Sequence, residues 1–214
     1  SKTSKGWIGG GDHGWAVFND GDGCHSGSWN SHSPGFSSGD VVQIIYNADA
    51  GSFGWQIKGT THSAVYSGVT GPVYLAVSMA NGNSVNQATI TASSFPLGSA
   101  SASAAAATVA GSGAVQWHMG ANSGDTSGLR ANDKVIEKTT SGGSGYSVFV
   151  CKQPFPASGT HTVDVRVDTR DRSMAIGVVK SFSAIQSHDK SNKGWIGGGD
   201  HGWAVFNDGD GCHS

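Results

Sequence analysis

The chain has 214 residues, a formal net charge of −2 and only 13% charged residues. This length is enough to bury a sizeable core, and the absence of a basic cluster excludes the charge pattern of a protein that binds nucleic acid. No run of about 20 apolar residues is present, so no membrane span is predicted. The 34 glycines, with many serines and alanines, favour an extracellular or cell-surface protein, with a cytoplasmic location as the alternative.

The first elements are predicted to form a β-hairpin. Residues 15–18 and 24–25 lie on either side of the sequence NDGDG. Asp-Gly dipeptides supply the positive φ of tight hairpin turns, so residues 19–23 are interpreted as a turn. The same segment suggests a calcium loop, but it lacks the spaced third carboxylate and the distant Glu of an EF-hand. No metal site and no cofactor are therefore predicted.

After a polar loop at residues 26–38, the next part of the chain is predicted to form a series of strands separated by turns. Residues 41–46 (VVQIIY) form a continuous, β-branched run that is too short for a typical helix, which indicates a buried strand. Residues 52–58 alternate between apolar and small or polar side chains. Further strands are predicted at residues 72–78 and 85–91.

A change of composition follows at residues 99–113, where the chain is almost entirely alanine, serine and glycine. Small residues without apolar periodicity bury too little surface to fold alone, so this segment is predicted to be a linker. Beyond it, residues 162–168 alternate valine with charged residues, as a half-buried strand does. Other short strands are predicted at 115–117, 146–151 and 174–179, and residues 129–138 carry an Asn-Asp turn followed by Val135 and Ile136. Short strands, glycine-rich turns and no amphipathic helix predict an antiparallel two-sheet sandwich.

One segment of the chain occurs twice. Residues 5–26 recur without a single difference as residues 193–214, at an offset of 188 (193 − 5), and the agreement decays just upstream. This pattern predicts a natural tandem repeat with a period of 188 residues, and an engineered duplication is the alternative. On the tandem interpretation, residues 1–98 are the C-terminal part of one unit. Residues 114–214 are then the N-terminal part of the next.

The cysteines fit this interpretation. Cys24 and Cys212 occupy the same place in the two copies, so each predicted unit has two cysteines, Cys151 and Cys212. An even number permits a disulfide between them in an oxidising compartment. Two separate buried thiols are the alternative, because spacing along the sequence does not show that the Cα atoms lie within bridging distance.

Taken in the order 114–214 and then 27–95, the strands resemble a SPRY domain, the interaction module also found within B30.2 domains. The stretches that carry the likeness are HTVDVRVD at 161–168 with SMAIGV at 173–178, GWAVF at 202–206 with GCH at 211–213, GDVVQII at 39–45 with DAGSF at 49–53, and GPVYLAVS at 71–78. The resemblance implies a bent, concanavalin-like two-sheet sandwich, and a binding role rather than catalysis.

The sequence also departs from the family pattern. Lys58 stands where the family usually has Asn, and an insertion that includes Asp12 and His13 enlarges a loop. Loops of this kind bind partners in the relatives. Asp12 and His13, together with Trp29 and Trp55, are therefore the candidate binding residues.

Several functions are compatible with these features. The repeat, the low charge and the linker favour a structural protein whose units self-associate into a filament or extracellular coat, so that its partner is itself. The first alternative is an array of partner-binding units, in which Trp29, Trp55 and Trp117 would line a binding patch, although tryptophan is more often buried in the core. A carbohydrate-binding sandwich rests on fold analogy alone. Catalysis is not predicted, because Asp12 and His13 are adjacent and point apart, and no nucleophile elbow is present.

The order of the segments leaves two arrangements open. Residues 27–95 can fold back onto residues 114–188 as a permuted domain, or neighbouring units can complete each half. The two copies of the repeated segment cannot share one place in one sandwich, and an incomplete sandwich would expose strand edges and apolar faces. We therefore expect the chain to lie in an assembly in which adjoining units complete its halves.

Overall fold

The structure is a computed structural model that describes residues 8, 14–26, 28–32, 34–80, 84–97, 114–121, 126–139 and 146–181. Within these ranges the chain forms fourteen strands and no helix. The strands are β1 (Gly14–Phe18), β2 (Asp22–His25), β3 (Ser28–Ser31), β4 (Val41–Asn47), β5 (Ser52–Ile57), β6 (Thr60–Ser67), β7 (Tyr74–Ala80), β8 (Asn86–Ser93), β9 (Trp117–Ala121), β10 (Leu129–Asn132), β11 (Val135–Lys138), β12 (Tyr146–Pro154), β13 (Thr160–Thr169) and β14 (Met174–Val179).

The strands form two antiparallel sheets of seven strands each. Sheet A has the order β3-β2-β1-β14-β7-β12-β9, and sheet B has the order β10-β11-β8-β13-β4-β5-β6. All strand pairs within both sheets are antiparallel. The predicted two-sheet sandwich is thus confirmed.

Strands from both sides of residues 99–113 are neighbours in both sheets. In sheet A, β14 lies between β1 and β7, and its register with β1 runs from Gly14↔Val179 to Phe18↔Ala175. In sheet B, β13 lies between β4 and β8. Of the two expected arrangements, the described residues therefore have the fold-back within one chain. Residues 99–113 lie outside the described ranges, and the division of the chain into parts of two units stays a prediction.

The main core lies between the two sheets. Strand β13 shows how the sequence places it, because Val163, Val165 and Val167 are buried while Arg166 on the opposite face is exposed. The largest side chains in this layer are fully buried aromatic and aliphatic residues. Each contributes about 1.5–3 kcal/mol by leaving water. They include Trp15, Trp55, Phe36, Phe53, Phe149, Ile44, Ile57, Leu75 and Met79.

Sheet A is buried on its outer face as well. Ala16 and Phe18 of β1 alternate with core residues and belong to a second apolar cluster. The other members of this cluster, including the buried Ile8, are Cys24, Ala76, Ala80, Val148, Val150, Ala175 and Val179. Sheet B instead carries polar side chains on its outer face. Because both faces of sheet A are covered, all six residues of β14 are buried.

The predicted polar loop at residues 26–38 is wrong in part, because β3 lies inside this range. Residues 60–67, which form β6, carry no predicted strand. The sequence of β3, Ser-Trp-Asn-Ser, has no alternation that would indicate a strand. It becomes one because each of its residues pairs with β2, so tertiary pairing decides what local propensity does not.

A buried lysine makes the stability of this fold depend on pH. Lys138 at the end of β11 is 3% exposed, and burial lowers the pKa of its ammonium group from 10.5 to about 8. Because the pKa is lower in the folded than in the unfolded state, the unfolded chain binds more protons between these two values. Stability is therefore reduced at pH 7 and rises as the pH increases from about 8 to 10.

We expect the urea midpoint of unfolding to rise across this interval. Lys138→Met should remove the rise and stabilise the protein at pH 7 by up to about 3 kcal/mol. The matched control is Lys134→Met, because Lys134 is exposed in the turn that precedes β11. An equal pH dependence in both variants would contradict the assignment.

Candidate interaction site

The predicted binding residues are placed in different parts of the fold. Trp55 lies in β5 with no exposed surface, so its ring belongs to the core and not to a binding loop. Trp29 lies in β3, half-buried, with its ring 4.5 Å from that of Phe18. Asp12 and His13 lie outside the described residues. Trp117, 8% exposed, donates a hydrogen bond from Nε1 to the backbone oxygen of Asp133 at 2.7 Å.

The segment between β1 and β2 is the predicted tight turn. The Gly21 amide donates to the Phe18 oxygen at 2.9 Å, and Gly21 has a φ of 95°. The Asp20 carboxylate accepts a hydrogen bond from the Asp22 amide at 3.1 Å. The Asp20 side chain therefore closes the turn. Across the part of the chain that the structure describes, no group of three or more His, Cys, Asp or Glu side chains is arranged to hold a metal ion.

The two sheets meet closely along one side of the sandwich. There, β3 is the edge strand of sheet A and β6 is the edge strand of sheet B, and ring contacts between His32 and the side chains of β6 bring the two edges together. The ring of His32, next to β3, lies 6.4 Å from those of His62 and Tyr66 on β6, and 5.9 Å from Trp55. We call His25, His32, Trp55, His62 and Tyr66 the aromatic edge. Its histidine and tyrosine side chains are half-buried, so they remain accessible from solvent.

A glycine makes this close approach possible. A Cβ at Gly23 of β2 would lie 2.6 Å from the ring of Trp55, 2.8 Å from the Tyr66 hydroxyl and 2.9 Å from His32. Real Cβ atoms do not come so near to other atoms, so any larger residue would push the rings apart. The two edges of the sandwich are in contact here because residue 23 has no side chain.

The histidines of the aromatic edge are held differently. His25 stacks on Trp15 at 4.6 Å and donates from Nδ1 to the Gly14 oxygen at 2.8 Å, while Ser26 donates to its Nε2 at 3.0 Å. Both ring nitrogens of His25 are therefore occupied. Nε2 of His62, in contrast, is buried and has no hydrogen-bond partner within the described ranges. A bound partner that supplies one would relieve the cost of this unsatisfied polar atom.

Strand β6 is an unusual edge strand. Its eight residues, TTHSAVYS, include no proline and no Asp, Glu, Lys or Arg, and most are exposed. In the described part of the chain it pairs with β5 alone. Natural edge strands usually carry charges or proline that prevent the addition of another strand. Within the described residues, β6 itself carries neither a charge nor a proline, so its outer side can pair with an extended segment.

The cysteines are separated within sheet A. Cys24 and Cys151 are both buried. Cys24 is in β2 and Cys151 in β12, with three strands between them, which corresponds to about 19 Å at the usual strand spacing. Disulfides need Cα atoms within about 7 Å, so these two cannot form one. Cys212 lies outside the described residues, and its pairing with Cys151 stays a prediction.

Burial should make Cys151 unreactive in the native protein, and it also raises the pKa of the Cys151 thiol. We expect iodoacetamide to label Cys151 on the order of 100-fold more slowly in the folded than in the denatured chain, since the thiolate is the reactive form and must first be uncovered. The control is Ser158→Cys at an exposed position, which should react equally fast in both states. Rapid native labelling of Cys151 would contradict its burial. A Cys151–Cys212 peptide found without reductant would instead confirm the disulfide.

Comparison with known proteins agrees with this architecture. Residues 1–91 match the family model of the SPRY domain, a range that includes β1 to β7 and part of β8. No curated protein matches the chain. Among the described residues, no helix has the length and apolar character needed to cross a membrane. The strands after β8 lie outside the match but complete both sheets, and two antiparallel seven-stranded sheets are consistent with a SPRY β-sandwich. Residues 1–91 are thus similar to the SPRY domain, and they share one all-β sandwich with residues 114–181.

Proposed function

We propose that the chain is a protein–protein interaction module that binds an extended partner segment along β6. The similarity of residues 1–91 to the SPRY domain supports a role in binding protein partners and not in catalysis. The observation that carries the proposal is the combination of an uncharged, exposed edge strand with the half-buried aromatic edge beside it.

Strand addition would use the backbone and the side chains in different ways. An extended peptide that pairs with β6 would gain affinity from main-chain hydrogen bonds, and contacts with alternate side chains would give specificity. With eight residues, β6 is about 27 Å long, since each strand residue advances about 3.4 Å. His32, His62 and Tyr66 lie at this edge and offer rings and polar atoms for those contacts.

The chemistry of the edge indicates what kind of partner would fit. Strand β6 has no charged residue, so a strongly acidic or basic peptide would gain no ion pair there and would lose hydration. The unsatisfied Nε2 of His62 favours a partner with a hydroxyl, amide or carbonyl group at the matching position. We therefore infer that the partner segment is extended, weakly charged and rich in polar and aromatic side chains.

Self-association into a filament or an extracellular coat is the second candidate function. The observation that favours it is the repeated segment, which gives the chain a second copy of residues that build β1 and β2. An extracellular or cell-surface location belongs to this candidate. A sugar-binding role has less support, because such sites use exposed tryptophan, whereas Trp15, Trp55 and Trp117 are all buried.

Selection of peptides with the immobilised full-length chain would test the partner-binding proposal. The probe is a phage-displayed library of random 12-residue peptides, followed by affinity measurements on the selected peptide. We expect Ala64→Lys, on the exposed part of β6, to weaken binding at least about tenfold, which corresponds to about 1.4 kcal/mol. The reason is that a lysine opposes strand addition at an edge.

The matched control is Ala92→Lys. Ala92 is also exposed, but it lies on β8, inside sheet B between β11 and β13. This variant should bind the selected peptide as the unchanged chain does. Failure to select any peptide, or equal binding by both variants, would refute the proposed site on β6.

A further inference from the structure

The place that β1 and β2 occupy in sheet A has two candidate occupants of identical sequence. In the structure, residues 14–25 lie there, next to β14. Residues 202–213 are the same twelve residues, because they belong to the second copy of the repeated segment. We call this place the β1–β2 position.

The β1–β2 position holds its occupant by pairing and by burial on both faces. The backbone of β1 pairs with β14 over five consecutive residues. Trp15 and Val17 point into the core between the sheets, while Ala16 and Phe18 lie in the cluster on the outer face of sheet A. None of these four side chains is more than 3% exposed, so the fit depends on the side chains of the occupant at every residue.

Polar contacts fix the end of the occupant strand. The Asn19 amide donates to the Met174 oxygen at 3.2 Å, and the Asn19 side-chain oxygen accepts from the Met174 amide at 3.1 Å. The Asn19 backbone oxygen accepts from the Phe36 amide at 2.8 Å. On β14, Gly177 lies against the backbone of Trp15 so closely that no side chain would fit between them.

Each group that the occupant contributes has a counterpart 188 residues later. Trp203, Ala204, Val205 and Phe206 repeat the four buried side chains of β1, and Asn207 repeats Asn19. Since the partners on β14 and in the core are the same for either segment, residues 202–213 can make the same contacts with the same register and burial. Because the two copies have identical side chains, neither copy is expected to fit the β1–β2 position better than the other.

The connections allow both copies to reach this place. Strand β14 ends at Val179, and 22 residues, 180–201, precede Gly202, the counterpart of the residue that pairs with Val179. A segment of that length can span about 70 Å when extended, far more than a return between neighbouring strands needs. The first copy is followed along the chain by β3, which leads to β4 in sheet B. Both copies are therefore tethered to the same domain, which keeps their effective concentrations high.

We propose that residues 202–213 of the same chain are a second occupant of the β1–β2 position. The sandwich then exists in two states of similar free energy, and each state releases one copy of the repeated segment. This inference does not rest on the proposed binding of a partner along β6, because it concerns the pairing of β1 with β14 inside sheet A and requires no ligand. A released copy has the sequence that fits this position, so it is suited to enter the same position of another chain.

Thiol labelling of the full-length protein would test the exchange. Cys24 is fully buried when the first copy occupies the position, and Cys212 is its counterpart. Trypsin separates them into peptides of residues 6–58 and 194–214, which differ in mass. We expect both cysteines to be partly protected under native conditions, with protected fractions that add up to about one cysteine per chain.

A matched pair of variants would shift the two states in opposite directions. Val17 is fully buried, and an unpaired carboxylate there is strongly disfavoured. Val17→Asp should expose Cys24 and protect Cys212, and Val205→Asp should do the reverse. Both variants should unfold cooperatively at a temperature close to that of the unchanged chain, whereas the double variant should lose this transition.

Other outcomes would overturn the inference. If Val17→Asp abolishes folding while Val205→Asp has no effect, only the first copy can occupy the position. If Cys212 is protected from labelling only in samples that light scattering shows to be dimeric, the occupant comes from a second chain and not from the same one. Neither result would change the expected loss of peptide binding in Ala64→Lys, so the two proposals can fail separately.

Discussion

The pairing of β14 on both sides is the interaction on which the rest of the structure depends. β14 joins β1 to β7 in the middle of sheet A, and all its residues are buried. An unpaired backbone group in such an environment costs free energy comparable to a lost hydrogen bond. The fold therefore requires a strand on each side of β14. One of them comes from a segment that the chain contains twice.

The sequence predicted the local elements that carry strong signals. The Asp-Gly turn after Phe18, the alternating valines of β13 and the apolar run of β4 each define their own strand, because turn chemistry and side-chain period are local properties. The resemblance of these stretches to a SPRY domain also indicated the two-sheet fold correctly. The sequence did not determine how the strands of residues 27–95 pair with those of residues 114–188, since pairing between distant strands is not encoded in either strand alone.

The candidate site was harder to predict. Trp55 is predicted to line a binding patch, but its position in β5 buries it completely. His32 lies next to β3, whereas His62 and Tyr66 lie on β6, and their rings meet because Gly23 lets the two sheets approach. The one signal available beforehand was the lack of charge in residues 60–67. That segment was not recognised as a full edge strand, because its alternation is weak.

The order of strands has a consequence for how the chain folds. The neighbours β4, β5 and β6 are joined by short turns and can pair early, whereas β14 must find β7 across 95 residues (Met174 with Met79) and β13 must find β4 across more than 100. Folds dominated by such distant pairings cross their main barrier slowly, on the order of milliseconds to seconds. During that time the apolar strands of sheet A remain exposed. In the exchange proposed above, the second copy of the strand segment doubles the number of encounters that can complete the sheet.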